Sequence, residues 1–79
     1  TRFRIDVPAT KEAQVARVEV YDLLGRLVKT IYNGTLAPGS YTMQWNGLNE
    51  QGGKAPSGIY IYRYQSQNFQ SVKRMLLLK

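Results

Sequence analysis

The sequence predicts an all-β fold, a small antiparallel β-sandwich of about seven strands. Three observations lead to this class: short runs in which apolar and polar residues alternate, glycine- or proline-containing turn signals between those runs, and the lack of a helical period anywhere. The chain has 79 residues, of which 43% are apolar and 20% charged, the usual balance of a folded globular domain. Its length permits one domain, residues 1–79, of immunoglobulin-like size.

The first half of the chain contains three runs with period-2 alternation. They predict strands over residues 3–7, 16–21 and 27–32. Asp22 and Gly25 lie between the second and third runs, where aspartate bonds its own backbone and glycine accepts a positive φ, so this segment is predicted to be a hairpin turn.

The second half is divided by stronger turn signals. Asn33-Gly34 and the 37–39 segment, Ala-Pro-Gly, both interrupt regular structure, so the residues between them are predicted to form a short edge piece or a loop. Further strands are predicted over residues 40–46, 59–65 and 69–79. The inward phase of the strands predicts a core that includes Phe3, Ile5, Val18, Val20, Tyr41, Met43, Trp45, Ile59 and Ile61.

The residue types exclude most catalytic and metal chemistry. The chain has no cysteine and no histidine, so disulfides, thiolate zinc sites and histidine-based nucleophile systems are excluded. Its five acidic residues are scattered, and none of them forms a glycosidase-type pair. The 46–51 loop is rich in oxygen atoms but holds one carboxylate, too few for a calcium loop. The sequence therefore predicts no enzyme activity, no cofactor and no metal.

The formal net charge of +6 raises nucleic acid, anionic membranes and acidic glycans as partners. The basic residues are dispersed, apart from Lys73-Arg74 and Lys79, which is typical of a solvated surface rather than a contiguous nucleic-acid face. The longest apolar run, residues 75–78, is too short to span a bilayer. We therefore predict a monomer without a nucleic-acid partner and without a transmembrane segment.

Aromatic residues provide two features that binding or packing would explain. Tyr60, Tyr62 and Tyr64 lie on one face of the 59–65 strand, where their rings would either stack on sugars or bases or pack against the opposite sheet or a neighbouring domain. Trp45, the single tryptophan, has an inward position and is predicted to anchor the core rather than to form a stacking platform.

Five short motifs occur in a fixed order, over residues 20–26, 36–39, 45–47, 55–63 and 73–75, and Leu78 and Lys79 follow them. This pattern resembles the type A C-terminal sorting domains of the type IX secretion system. It is also similar to a relative of theirs in sequence, the immunoglobulin-like domain of flagellar hook-capping proteins.

The first resemblance implies a sorting domain that directs a secreted cargo protein through the periplasm and the outer membrane to the cell surface. The implied partners are the outer-membrane secretion machinery, a sortase-type peptidase and an upstream cargo domain of the same chain. The residues that correspond to the family's late motifs, and that we predict the translocon to recognise, are Gly58, Tyr60, Lys73, Arg74 and Lys79.

Two other function classes fit the same sequence. One is a purely structural immunoglobulin-like module, either a spacer or an assembly domain of the hook-cap kind. The other is a carbohydrate-binding accessory module of a hydrolase, which would use Tyr60, Tyr62 and Tyr64.

Overall fold

The computed structural model describes residues 1–8, 14–67 and 69–78, and in these ranges the chain forms six strands in two antiparallel sheets. β1 (Arg2–Val7) pairs with β4 (Gly39–Gln44) in a two-stranded sheet. The second sheet has the order β3-β2-β5-β6 and consists of β2 (Gln14–Tyr21), β3 (Leu27–Leu36), β5 (Gly58–Ser66) and β6 (Gln70–Leu77). The predicted all-β, immunoglobulin-like sandwich is confirmed.

The core lies between the two sheets. The ring centroid of Phe3 on β1 lies 4.4 Å from that of Tyr62 on β5, and Val18 and Val20 on β2 are fully buried. Trp45 follows β4 and is buried; its ring packs 4.9 Å from the ring of Tyr60, between centroids. The indole Nε1 donates a hydrogen bond to the Leu48 carbonyl oxygen at 2.9 Å, so the polar atom of this core anchor is satisfied.

The predicted core is right for Phe3, Ile5, Val18, Val20 and Trp45, while Tyr41 and Met43 are partly buried at its margin. It is wrong for two further residues, because Ile59 is 46% exposed and Ile61 is half-buried.

The phase of β5 explains this correction. Tyr62 lies opposite Val20 and Tyr64 lies opposite Val18 in the β2–β5 pair. Directly opposed residues of an antiparallel pair share a face of the sheet, and the two valines face the interior. The tyrosines are therefore turned inward, and the isoleucines between them are turned outward.

The turn predicted at Asn33-Gly34 does not form, and β3 continues through both residues to Leu36. Asn33 pairs with Arg17 and Gly34 with Ala16, so the ladder to β2 provides backbone partners that a turn would remove. The predicted separate edge piece is thus part of β3, which accounts for six described strands rather than seven. The β2–β3 register shifts at Val18/Glu19 and at Val20/Tyr21, so the pair contains two irregularities.

The predicted hairpin turn at residues 22–26 is present. The Asp22 side chain accepts hydrogen bonds from the backbone N–H groups of Leu24 and Arg26, both at 2.9 Å, and Gly25 has a φ of 85°. The turn therefore uses both residue types for the reasons that predicted it.

Candidate protein-contact surface

The four-stranded sheet turns one face away from the core, and several apolar side chains of this face are exposed. We call the outward positions of β2, β5 and β6 the outer face. By strand alternation and pairing register they are Val15, Arg17, Glu19, Tyr21, Ile59, Ile61, Arg63, Gln65, Gln70, Val72, Arg74 and Leu76.

A hydrogen-bonded ion pair lies at the centre of the outer face. Arg63 Nη2 donates to Glu19 Oε1 at 3.1 Å and to the Tyr21 hydroxyl at 2.7 Å. The same hydroxyl donates to Glu19 Oε1 at 2.9 Å, and the guanidinium carbon lies 5.0 Å from the centroid of the Tyr21 ring. These contacts form a closed triangle, which we call the Glu19–Tyr21–Arg63 cluster.

The cluster keeps Glu19 ionised although the residue is only 5% exposed. Burial would raise the pKa of this carboxyl, but the hydrogen bonds from Tyr21 and Arg63, together with the charge of Arg17, lower the pKa below its ordinary value. The pKa of the Tyr21 hydroxyl is raised by burial and by its bond to Glu19. Both shifts move the groups away from titration near neutral pH, so the cluster fits a structural role rather than acid–base chemistry.

Apolar side chains surround one end of the cluster. Ile59 and Leu76 are direct cross-strand partners and are 46% and 52% exposed, and Val72 lies opposite Arg63 with 52% of its surface exposed. The half-buried Ile61 lies between the Ile59–Leu76 pair and Val72 on the sheet, so these aliphatic side chains form a patch rather than scattered single residues. An exposed apolar patch of this kind is typical of a protein-contact surface.

Charge is distributed unevenly over the described residues. Each of their four carboxylates forms an ion pair: Asp6 with Arg4, Glu19 with Arg63, Asp22 with Arg26, and Glu50 with Lys29. The described cations that form no ion pair are Arg2, Arg17, Lys54, Lys73 and Arg74. Arg17 and Arg74 lie on the outer face, whose one carboxylate belongs to the cluster, so the outer face carries a net positive charge.

The structure separates the residues predicted to be recognised by a translocon. Gly58 begins β5, and Tyr60 lies in the core beneath Trp45. Lys73 and Arg74 are both exposed, but as neighbours on β6 they point to opposite faces of the sheet, so they do not form one basic strand end. Lys79 lies outside the described residues.

The predicted tyrosine row is part of the core. Tyr60, Tyr62 and Tyr64 are between 2% and 8% exposed, so their rings pack against the opposite sheet, and no row of exposed rings is available for sugar stacking. The pairing register with β2 turns these three side chains inward.

The oxygen atoms of the 46–51 loop are engaged within the loop and with β3. The Asn49 side chain accepts hydrogen bonds from the N–H groups of Gln51 and Gly53, and a Glu50 carboxylate oxygen accepts one from the N–H of Thr30. The Asn49 and Glu50 side-chain oxygens that could ligate a cation therefore accept backbone hydrogen bonds instead. Among the described residues no three acidic side chains come together in a metal-binding group.

Sequence reasoning did not single out the outer face. The available signal was the alternation of Ile59, Ile61 and Arg63 with the three tyrosines of the same strand. This alternation is equally compatible with the tyrosines or the other three residues on the outward face of the sheet. Only the pairing with β2 decides between the two phases.

Comparison with known proteins then assigns the chain to a family. The family model of the FlgD Ig-like domain matches residues 1–69. The chain belongs to the FlgD Ig-like domain family. The crystal structure of FlgD from P. aeruginosa is similar, with 25% sequence identity and a TM-score of 0.70. The alignment covers 95% of this chain and 57% of the P. aeruginosa chain. No curated protein matches the sequence.

Family membership corrects the functional prediction. The resemblance to the hook-capping Ig-like domain is confirmed, whereas the prediction of a type IX sorting domain is wrong, because the matched family is that of FlgD. In this chain the motifs that carry both resemblances lie on strands and connecting turns, so they do not by themselves separate the two groups. The predicted secretion partners and surface location stay predictions. No helix in the described ranges is long and apolar enough to cross a membrane.

Proposed function

We propose that this FlgD-like domain is a non-catalytic structural module that acts through protein contacts in an assembly of the hook-capping kind. The observation that supports this most is the family match over residues 1–69. The fold similarity to FlgD from P. aeruginosa supports the same function.

The chemistry of the described side chains agrees with a structural role. The described carboxylates all form ion pairs. The Asp22 carboxylate also accepts a backbone hydrogen bond that closes a turn, and the Glu50 carboxylate accepts one that connects its loop to β3. The outer face in turn offers exposed aliphatic groups beside fixed charges, which is the composition of a contact surface rather than of a reaction site.

A deletion tests this function. Removal of residues 1–79 from the full-length protein that carries this domain, here called the parent protein, should reduce the number of completed hooks per cell, counted by electron microscopy, while the level of the shortened protein stays normal. Normal hook numbers at a normal protein level would contradict the proposal. Re-expression of the complete parent protein is the matched control.

A spacer is the second candidate, and the shape of the domain favours it. The domain extends 40 Å along its long axis and 19 Å along each of the other two. An elongated sandwich could hold neighbouring domains apart without a specific contact. The two candidates differ in one respect, because a spacer depends on its length and an assembly module depends on its surface.

A further inference from the structure

We infer that the outer face binds an extended segment of a partner protein in which carboxylates alternate with apolar side chains. This inference rests on the proposed function and specifies the partner of the contact surface. Two independent features of the outer face lead to it, its apolar patch and its uncompensated charge.

The apolar feature lies at the β5–β6 edge of the sheet. Ile59, Val72 and Leu76 expose about half of their surface each, and Ile61 lies between them and Tyr21 in the register. β6 is an edge strand, so its outer backbone groups have no further strand beside them among the described residues. An extended segment that lies along this edge could contact the aliphatic groups with every second side chain.

The charge feature makes the partner acidic. Arg17 lies opposite Gln65 and Arg74 lies opposite Ile61, so the two arginines flank the Glu19–Tyr21–Arg63 cluster on different strands. The four residue steps from position 61 to position 65 correspond to about 13 Å along the strand. Neither arginine forms an ion pair in the described structure, and the single carboxylate of the outer face is held by Arg63. Partner carboxylates would supply the missing charge.

The same charges argue against two other occupants. A second copy of this domain in a symmetric contact would place one net-positive outer face against another, so like charges would oppose it. A nucleic acid would be held by a continuous basic surface, whereas the outer face has aliphatic groups between its arginines. The described cations Arg2 and Lys54 lie elsewhere on the domain, in β1 and in the loop before β5.

The binding test uses the 79-residue chain labelled with ¹⁵N and a short end-blocked peptide that alternates glutamate and valine. We expect chemical-shift changes concentrated in β5, β6 and the adjoining part of β2. The double variant R17E/R74E should weaken binding by at least about tenfold. The matched control R2E/K54E makes the same change in net charge away from the outer face and should change the affinity by less than about threefold.

Several outcomes would overturn the inference. These are shift changes centred on β1 and β4, equal weakening by both double variants, an unchanged affinity in a folded R17E/R74E variant, or no binding at all. Tighter binding of a lysine–valine peptide or of single-stranded DNA, or a concentration-dependent dimer, would also contradict it. The folded state of each variant is checked by the dispersion of the same NMR spectra.

The parent protein separates failure of this inference from failure of the proposed function. If the domain is an assembly module but the outer face is not its contact surface, deletion of residues 1–79 reduces hook numbers while R17E/R74E and R2E/K54E behave alike. If the proposed function itself fails, the deletion has no effect. Support requires that R17E/R74E reduce hook numbers and that R2E/K54E leave them unchanged.

Discussion

At the scale of single residues, Glu19 shows how this small sandwich accommodates a charged group that is almost inaccessible to solvent. Its carboxylate accepts from both Tyr21 and Arg63, and the arginine also contacts the ring of Tyr21. A buried charge without such partners would be strongly destabilising, and removal of one partner leaves the other groups unsatisfied. Arg63 Nε is already buried without a hydrogen-bond partner in the described structure, so the cluster has little tolerance for further loss.

The lowered pKa of Glu19 predicts a pH dependence of stability. Its folded-state pKa lies below the ordinary glutamate value of 4.5, so its contribution is fully present above that pH and is lost as the pH falls through the lowered pKa. Glu19→Gln should therefore reduce the free energy of unfolding at pH 7, by about 1–3 kcal/mol, and by less at pH 3. Urea denaturation of both proteins at the two pH values measures the difference.

A control and a contradicting result follow from the same cluster. Tyr21→Phe removes one hydrogen bond to Glu19 but keeps the charge of Glu19. The decrease in the free energy of unfolding from pH 7 to pH 3 should therefore be smaller than in the wild type and larger than in Glu19→Gln. An effect of Glu19→Gln that is equal at pH 7 and pH 3 would show that the charge of Glu19 does not contribute to stability.

At the scale of elements, β5 separates what the sequence could predict from what it could not. The position of the strand was predictable from its turn signals and alternation, to within one residue at each end. Its phase was not, because it carries bulky residues on both faces, tyrosines on one and isoleucines on the other. The inward face was fixed by Val18 and Val20 on the neighbouring strand, which is long-range information absent from the local pattern.

A matched pair of variants tests the phase of β5. Tyr64 is 2% exposed and Ile59 is 46% exposed. Tyr64→Ala should lower the free energy of unfolding by about 3–5 kcal/mol, because it leaves a cavity in the core. Ile59→Ala should cost less than about 1 kcal/mol, since the side chain is half-solvated and its loss leaves no enclosed cavity. Thermal unfolding measures both, and the reverse order of the two effects would show that the phase is inverted.

β3 shows the same limit for turn signals. Asn-Gly is among the strongest hairpin dipeptides, yet Asn33 and Gly34 lie inside a ten-residue strand. A dipeptide preference is worth little against a row of ladder hydrogen bonds to β2. By contrast, the Asp22–Gly25 turn was predictable because no partner strand competes for the same backbone groups.

At the scale of the whole molecule, the charge distribution and the family match together support the proposed function. The fold class and the hook-capping resemblance were predictable from ordered motifs, but those motifs also fit a sorting domain, and the family match was needed to separate the two. The outer face was not predictable, because its members come from three strands whose register no local pattern encodes.

We propose that this domain functions through its surface and not merely through its length, so a sandwich of equal length with a different surface should not replace it. The most direct measurement replaces residues 1–79 in the parent protein with an unrelated, stable β-sandwich of similar length and counts completed hooks by electron microscopy. Hook numbers should fall as far as they do after deletion of the domain, at an unchanged level of the chimeric protein. Normal hook numbers in cells that carry the chimera would contradict it, and the spacer function would then be the correct one.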